Sequence, residues 1–135
     1  MYIRLATKGS DYAKCSRAAP IAWPFEFPTV MAERTFKGEL LGYLTTNTKS
    51  GYIVAGPLWL LPTLTRTGKA FVLIRLMTGY ENTLAINKVD RFLFFVPPGN
   101  EHYMDIIKRA MGLDPYEIDA DGNYWYQRIL VKETV

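Results

Sequence analysis

The sequence predicts an α+β domain built on one mixed sheet. Three observations carry that expectation. Between residues 29 and 61, three strand-like segments follow one another across short turns, as in an antiparallel meander. Residues 67–87 then change to a helical period and lead into RFLFFV at 91–96. Strand, helix and strand make a right-handed crossover, which sets the two flanking strands parallel. Last, after a shorter helical segment, Asp121-Gly122 joins two further strand-like segments into a closing hairpin.

Residues 2–6 read as a short opening strand. Ser10 or Asp11 is the expected N-cap of a helix reaching about Ala19. Pro20, Pro24 and Pro28 keep the next stretch, IAWPFEFP, out of any helix. Its aromatics, Trp23, Phe25 and Phe27, either floor a cleft or pack a loop against the body. The meander follows: a strand at 29–35, a turn at 36–39 with Gly38 at the expected positive φ, a strand at 40–46, a turn at 47–51, and a strand at 52–61. In the following helix Ala70, Leu73, Ile74, Met77 and Leu84 share one face with Arg75 and Glu81 off it, and Gly79 weakens it modestly. Asn100 is the expected N-cap of the shorter helix, which carries Tyr103, Ile106, Ile107 and Ala110 at helical spacing and stops at Gly112. Residues 115–119 and 124–131 form the closing hairpin, with Asp119 and Asp121 belonging to its turn. No repeat, linker or composition break divides the chain, so one domain over 1–135 is expected.

Bulk composition narrows the function. The chain is 49% hydrophobic and 21% charged, so it folds rather than staying disordered. A net charge of +3 without any basic run gives no footprint for nucleic acid, yet suits an anionic partner such as a phosphorylated cofactor. With one cysteine, Cys15, and one histidine, His102, no disulfide framework or cysteine- or histidine-rich metal site is expected. Cys15 reads as a packed helix residue, and His102 as a surface residue or a proton acceptor near neutral pH. No apolar run approaches the ~20 residues a membrane span needs. The opening Met1-Tyr2-Ile3-Arg4 passes straight into a strand pattern without a signal-peptide core, and a cytoplasmic location is expected.

The segment at 51–70, GYIVAGPLWLLPTLTRTGKA, organises the rest. Gly56-Pro57 interrupts the third meander strand, because proline brings no N–H to the ladder; a bulge or a parting from the neighbour must follow. Backbone groups then become available around Leu58 to Leu61. The helix beginning Arg66-Thr67-Gly68-Lys69-Ala70 presents unpaired N–H groups and two cationic side chains, a recipe for holding a phosphate. An ordinary strand-to-helix turn with two solvated basic residues is the alternative.

Taken in order, YIRLAT with SDY, FKGELLGYL, GYIVAGPLWLLP with TRTGKA, RFLFFVPPGN, a helix ending MGL, and YEIDADGNYWYQRIL resemble the Gcn5-related N-acetyltransferases, the GNAT family, over nearly the whole chain. The resemblance implies the acyl-CoA N-acyltransferase fold, with a splay between parallel fourth and fifth strands, and acetyl-CoA as cofactor. It also implies transfer of an acetyl group to an amine of a small molecule or protein. Residue by residue, Trp59, Leu60 and Leu61 would offer backbone to the pantetheine arm. Arg66, Thr67, Gly68, Lys69 and Ala70 would cradle the pyrophosphate, and Asn100 would contact the cofactor. The chain departs from the family loop at Thr65, where Arg or Gln is usual. It has no carboxylate in 52–61 to serve as general base, and Ile107 stands where a tyrosine often protonates the leaving thiolate. Glu33 is the best remaining base candidate, Glu26 another, and Tyr103 the nearest acid candidate. Each has a structural reading beside it: Glu33 as a strand residue in solvent, Tyr103 as part of the core.

The second half is also similar to small internal virion (core) proteins of short-tailed phages. Those share a helix opening on Gly-Lys-Ala, a helix start bearing Gly-Asn and histidine, and a closing Asp-Gly hairpin. This second resemblance implies a catalytically degenerate GNAT-fold protein with an assembly role, in host cytoplasm or virion, and an oligomer or virion partner.

Overall fold

A seven-stranded sheet with helices on both faces forms the body of the protein, seen in a computed structural model that describes residues 1–20 and 25–130. The elements run β1 (Tyr2–Leu5), α1 (Gly9–Ala18), β2 (Val30–Glu33), β3 (Leu40–Lys49), β4 (Tyr52–Leu60), α2 (Arg66–Ile86), β5 (Arg91–Val96), α3 (His102–Met111), β6 (Glu117–Ile118) and β7 (Tyr124–Ile129). Their order across the sheet is β1-β2-β3-β4-β5-β7-β6. Among the described residues only β4 and β5 are parallel, and the other pairings are antiparallel. Both the meander and the crossover therefore stand as the sequence predicts.

Local chemistry explains the boundaries. The β3–β4 hairpin is tighter than expected: β3 runs to Lys49, and Ser50-Gly51 make the whole loop, with φ of 52° and 82°. Two positive φ values match the right-handed twist of the strands. In the preceding turn the positive φ belongs to Lys37 (60°), not Gly38. Gly38 is needed instead for space, since a Cβ there would lie 2.3 Å from Thr35 Oγ1. The N-cap of α1 is Lys8 rather than Ser10 or Asp11. Asp11 acts from inside the first turn, its Oδ2 accepting from the Thr7 and Lys8 N–H groups at 3.0 and 3.3 Å. Likewise α3 starts after Glu101, not at Asn100, whose carbonyl accepts from Tyr103 N–H. Gly112 ends α3 in the left-handed region, as its position predicts.

The main core lies between the sheet and α2, with α3 packed beside it. Here the burial of α2 differs from the expected face. Val72, Leu73, Leu76, Met77, Tyr80 and Leu84 are buried, while Ile74 is 37% exposed. The missed positions reflect a helix that is apolar on more than one side, so its period does not single out one stripe. Gly79 serves this packing: a Cβ there would sit 3.0 Å from Ile3 and 3.2 Å from Val30. On the opposite face a smaller core joins Ala6, Cys15, Met31, Leu40 and Tyr43, with Tyr12, Phe25 and Trp59 against it. Burial pushes the Cys15 thiol up to about 12, consistent with a packing role. Phe25 packs edge-on against Tyr43, whereas Phe27 is exposed, so of the two described aromatics of the Pro-rich stretch one packs against the body. Trp23 and the expected end of the closing strand at 131 lie outside the described residues.

The closing hairpin is shorter than expected, with β6 reduced to Glu117–Ile118. Asp119 organises its loop by accepting from Asp121 N–H, Asn123 N–H, Asn123 Nδ2 and Trp125 Nε1. Those donors, Trp125 and Asn123 first, hold its carboxyl well below the usual carboxylate range.

Candidate active site

The bulge in β4 creates the site. Leu44 lies opposite Leu58 and Thr46 opposite Ala55, so Gly56 and Pro57 together face Thr45 alone. Two residues against one bend the strand. The parallel β4–β5 ladder holds at Val54↔Leu93, below the bulge, and the strands part beyond it. A cleft of about 780 Å³ opens there, between the parted strands, α2 and α3. Its volume is that of a small-molecule or cofactor site.

Strand alternation decides which β4 groups face the cleft. Leu61 N–H is donated to Leu41 O at 2.8 Å, toward β3. Because N–H and C=O alternate sides along a strand, Trp59 also faces β3, while Leu58 and Leu60 turn their backbone toward the parted side. Leu58 and Leu60 line the cleft. Trp59 instead stacks on Tyr43 across the sheet, with ring centroids 6.1 Å apart. Of the three residues that the resemblance implies for the pantetheine arm, Leu60 is so placed and Trp59 and Leu61 are committed to β3; Leu58, inside the stretch expected to free its backbone, joins Leu60. Only the observed hydrogen-bond phase separates these cases.

The start of α2 closes one end. Thr65 is its N-cap, taking Gly68 N–H on Oγ1 at 2.9 Å and Lys69 N–H on its carbonyl at 2.8 Å. Arg66 and Thr67 N–H groups have no acceptor among the described residues. Gly68 lacks a Cβ where one would lie 3.1 Å from Thr65 Oγ1, so its smallness lets the cap close. A recess of about 250 Å³ adjoins the cleft here, lined by Arg66, Lys69, Asn100, His102, Tyr103 and Ile106. Three nitrogen-bearing basic side chains thus gather at the positive end of a helix dipole. Ala70 is half-buried and lines neither cavity. Tyr103 lines both cavities and packs on the core edge.

Glu33 is not at the cleft. It is 0% exposed and lies in a charge cluster that ties β1, α1 and β2 together. Arg4 Nε donates to it at 2.6 Å, Lys14 Nζ at 2.5 Å and Lys37 N–H at 3.1 Å, while Arg4 also reaches Asp11 at 2.8 Å. Burial works to raise its pKa, but the Arg4, Lys14 and Lys37 donors outweigh burial and hold the carboxyl low. The Glu33 expectation is corrected on both position and basicity. Glu26 is exposed and does not line the cleft either.

The carboxylate that does line the cleft is Glu81 of α2. Its Oε1 lies 3.1 Å from Arg128 Nε. The angle is poor, and Arg128 Nε is buried without a hydrogen-bond partner among the described residues. The signal for Glu81 was present in the chain: Ile74, Met77, Thr78 and Glu81 stand at i, i+3, i+4 and i+7, and all four line the cleft. Among the described residues no cluster of histidine, cysteine or acidic side chains could hold a metal ion, and no helix is long and apolar enough to cross a membrane.

Neither a protein-family model nor a curated protein sequence matches this chain. Solved structures do match in shape. The aminoglycoside 6'-N-acetyltransferase from Enterococcus faecium superposes with a TM-score of 0.75 at 14% identity, over 100% of both chains. The ribosomal-protein-S18-alanine N-acetyltransferase from Escherichia coli gives 0.63 at 13%, over 98% of this chain and 97% of that one. A GNAT superfamily phosphinothricin acetyltransferase from Sinorhizobium meliloti, in complex with AcCoA, gives 0.60 at 15%, over 76% and 60%. The parallel pair that splays beyond a bulge, set in an otherwise antiparallel sheet, is the feature through which this chain has the GNAT N-acetyltransferase fold.

Proposed function

We propose that this chain binds acetyl-CoA in the β4–β5 cleft and transfers the acetyl group to an amine of a small molecule or protein. The observation that carries this reading is the union, on one cleft, of an unpaired strand edge and a basic helix start. The residues present fit the cofactor. Arg66 and Lys69 side chains with the Arg66 and Thr67 N–H groups suit a pyrophosphate, and Asn100 stands beside them in the recess. The Leu58 and Leu60 backbone suits the amides of a pantetheine arm, by the same pairing that adds a strand to a sheet edge.

When bound, acetyl-CoA supplies an activated acyl carbonyl. The chain's own part is to aim strand N–H groups at an oxygen that gains negative charge, and to exclude water with Leu73, Met77 and Ile107. Tyr103, which lines the cleft, serves as proton donor to a leaving group. Removal of the amine proton falls to water, because Glu33 is committed elsewhere and Glu81 is held beside Arg128.

One observation favours a second reading. The cleft carboxylate among the described residues is held beside Arg128, and no free base faces the fork. A protein that keeps the fold without catalysis, used in assembly as in a phage virion, fits that feature.

Calorimetric titration with acetyl-CoA tests the first reading, repeated on Gly68→Glu and Lys69→Ala. Binding is expected in the parent. Lys69→Ala should weaken it about tenfold, the scale of one charge-assisted hydrogen bond, and Gly68→Glu should abolish it. An absence of binding by the parent leaves the assembly reading. Release of free thiol with a panel of amines then separates transfer from binding alone.

A further inference from the structure

The cleft does not stop where the strands meet. The β4–β5 ladder holds at Val54↔Leu93. Asn47 stands at that level, opposite Val54, and Arg128 one step below, opposite Phe92. Both line the cleft. So does Glu81, about 18 Å along α2 from Lys69 at ~1.5 Å per residue. A pantetheine arm lying along Leu58 and Leu60 brings its thioester to the fork, near Gly56. An acetyl group would add a single methyl there and leave the lower cleft without an occupant. The walls of that lower part are apolar, formed by Met77, Phe94, Ile107 and Met111, and at its floor stands Arg128, with a buried N–H that lacks an acceptor.

We propose that the lower cleft is an acyl-chain pocket, and that the preferred donor carries a medium-length acyl chain rather than acetyl. This inference rests on the acyl-CoA reading above. The chain's stem lies against Met77 and Ile107. A carbonyl or hydroxyl oxygen at its far end would give Arg128 Nε the acceptor it lacks, whereas a terminal carboxylate would meet Glu81. The reaction remains acyl transfer. The carbon–sulfur bond breaks, a carbon–nitrogen bond forms, the amine loses a proton and the departing thiolate gains one.

Thr78 and Ala110 line the cleft from exposed positions on α2 and α3, so phenylalanine at either narrows the lower part without disturbing the core. The probes are CoA, acetyl-CoA and hexanoyl-CoA, titrated by calorimetry into the parent, Thr78→Phe and Ala110→Phe. The expected result is hexanoyl-CoA binding about 200-fold tighter than acetyl-CoA in the parent, from the four added methylenes when all are buried. In both variants that margin should vanish while CoA itself binds as before. Equal affinity for the two acyl donors in the parent would overturn the pocket, as would a margin that survives both variants. CoA that fails to bind the parent refutes the acyl-CoA reading itself, and this proposal with it; the CoA arm reads that outcome separately.

Discussion

Replacing Glu33 by glutamine distinguishes a structural carboxylate from a catalytic one. The side chain is fully buried and receives donors from Arg4, Lys14 and the Lys37 N–H. Breaking a buried ion pair by removing one partner costs ~3–5 kcal/mol, because the remaining charge is left uncompensated. Two features reduce that here. Arg4 and Lys14 side chains are 15% and 24% exposed, so water reaches them, and Arg4 keeps Asp11 at 2.8 Å. Glu33→Ala should therefore cost about 3 kcal/mol. Glu33→Gln keeps the shape and one acceptor, and should cost about 2 kcal/mol, a fall in Tm of several degrees for a chain of this size. Urea unfolding at pH 7, with acetyl-CoA binding measured in parallel, checks both halves. The expected outcome is lost stability with cofactor affinity unchanged. A Glu33→Gln protein as stable as the parent to within about 0.5 kcal/mol would refute the account of the cluster.

Three further outcomes follow from the same geometry. Gly79→Leu should destabilise by about 2 kcal/mol or more in chemical unfolding, since its side chain meets Ile3 and Val30, and Gly79→Ala should fail to gain the ~1 kcal/mol that helix propensity alone offers. Thr65→Ala should cost about 1 kcal/mol of stability through loss of the cap, yet leave acetyl-CoA affinity intact or improved, because it frees Gly68 N–H for an anion; weaker binding would show that the capped form is the competent one. In acid, the Arg4 hydrogen bond and the Thr7 and Lys8 N–H groups outweigh burial and hold Asp11 down to about 2, and Glu33 is lowered too. Folded pKa values below unfolded ones mean stability that is fully present above ~4 and is lost as pH falls toward 2. Unfolding free energies measured between pH 5 and 2.5 should fall accordingly, and less steeply in Glu33→Gln.

Much of this was legible in the chain because it depends on near neighbours. Gly56-Pro57 foretold the bulge, since the missing N–H is a property of proline wherever it sits. Thr65-Arg66-Thr67-Gly68 foretold the helix start for the same reason. Gly112 and the Asp121-Gly122 turn were placed by local backbone preference. The helix faces were less legible. In α2 apolar residues occur all round, so Ile74 looked buried and Tyr80 did not, and contact with β1 and β2 decided between them.

The candidate site divides along the same line. By itself the sequence determined the α+β order, the strand interruption and the basic helix N-terminus, because each follows from covalent and short-range preferences. Only the tertiary structure decided which carboxylate faces the cleft. Glu33 is drawn to Arg4 and Lys14, residues far from it in the chain, and Glu81 is turned inward by the packing of α2 over the fork. Only it decided that Leu58 and Leu60, rather than Trp59 and Leu61, present their backbone to the gap, since hydrogen-bond phase is set by the partner strand. Charge pairing and strand register are relations between distant segments, and such relations exist only once the chain has closed on itself.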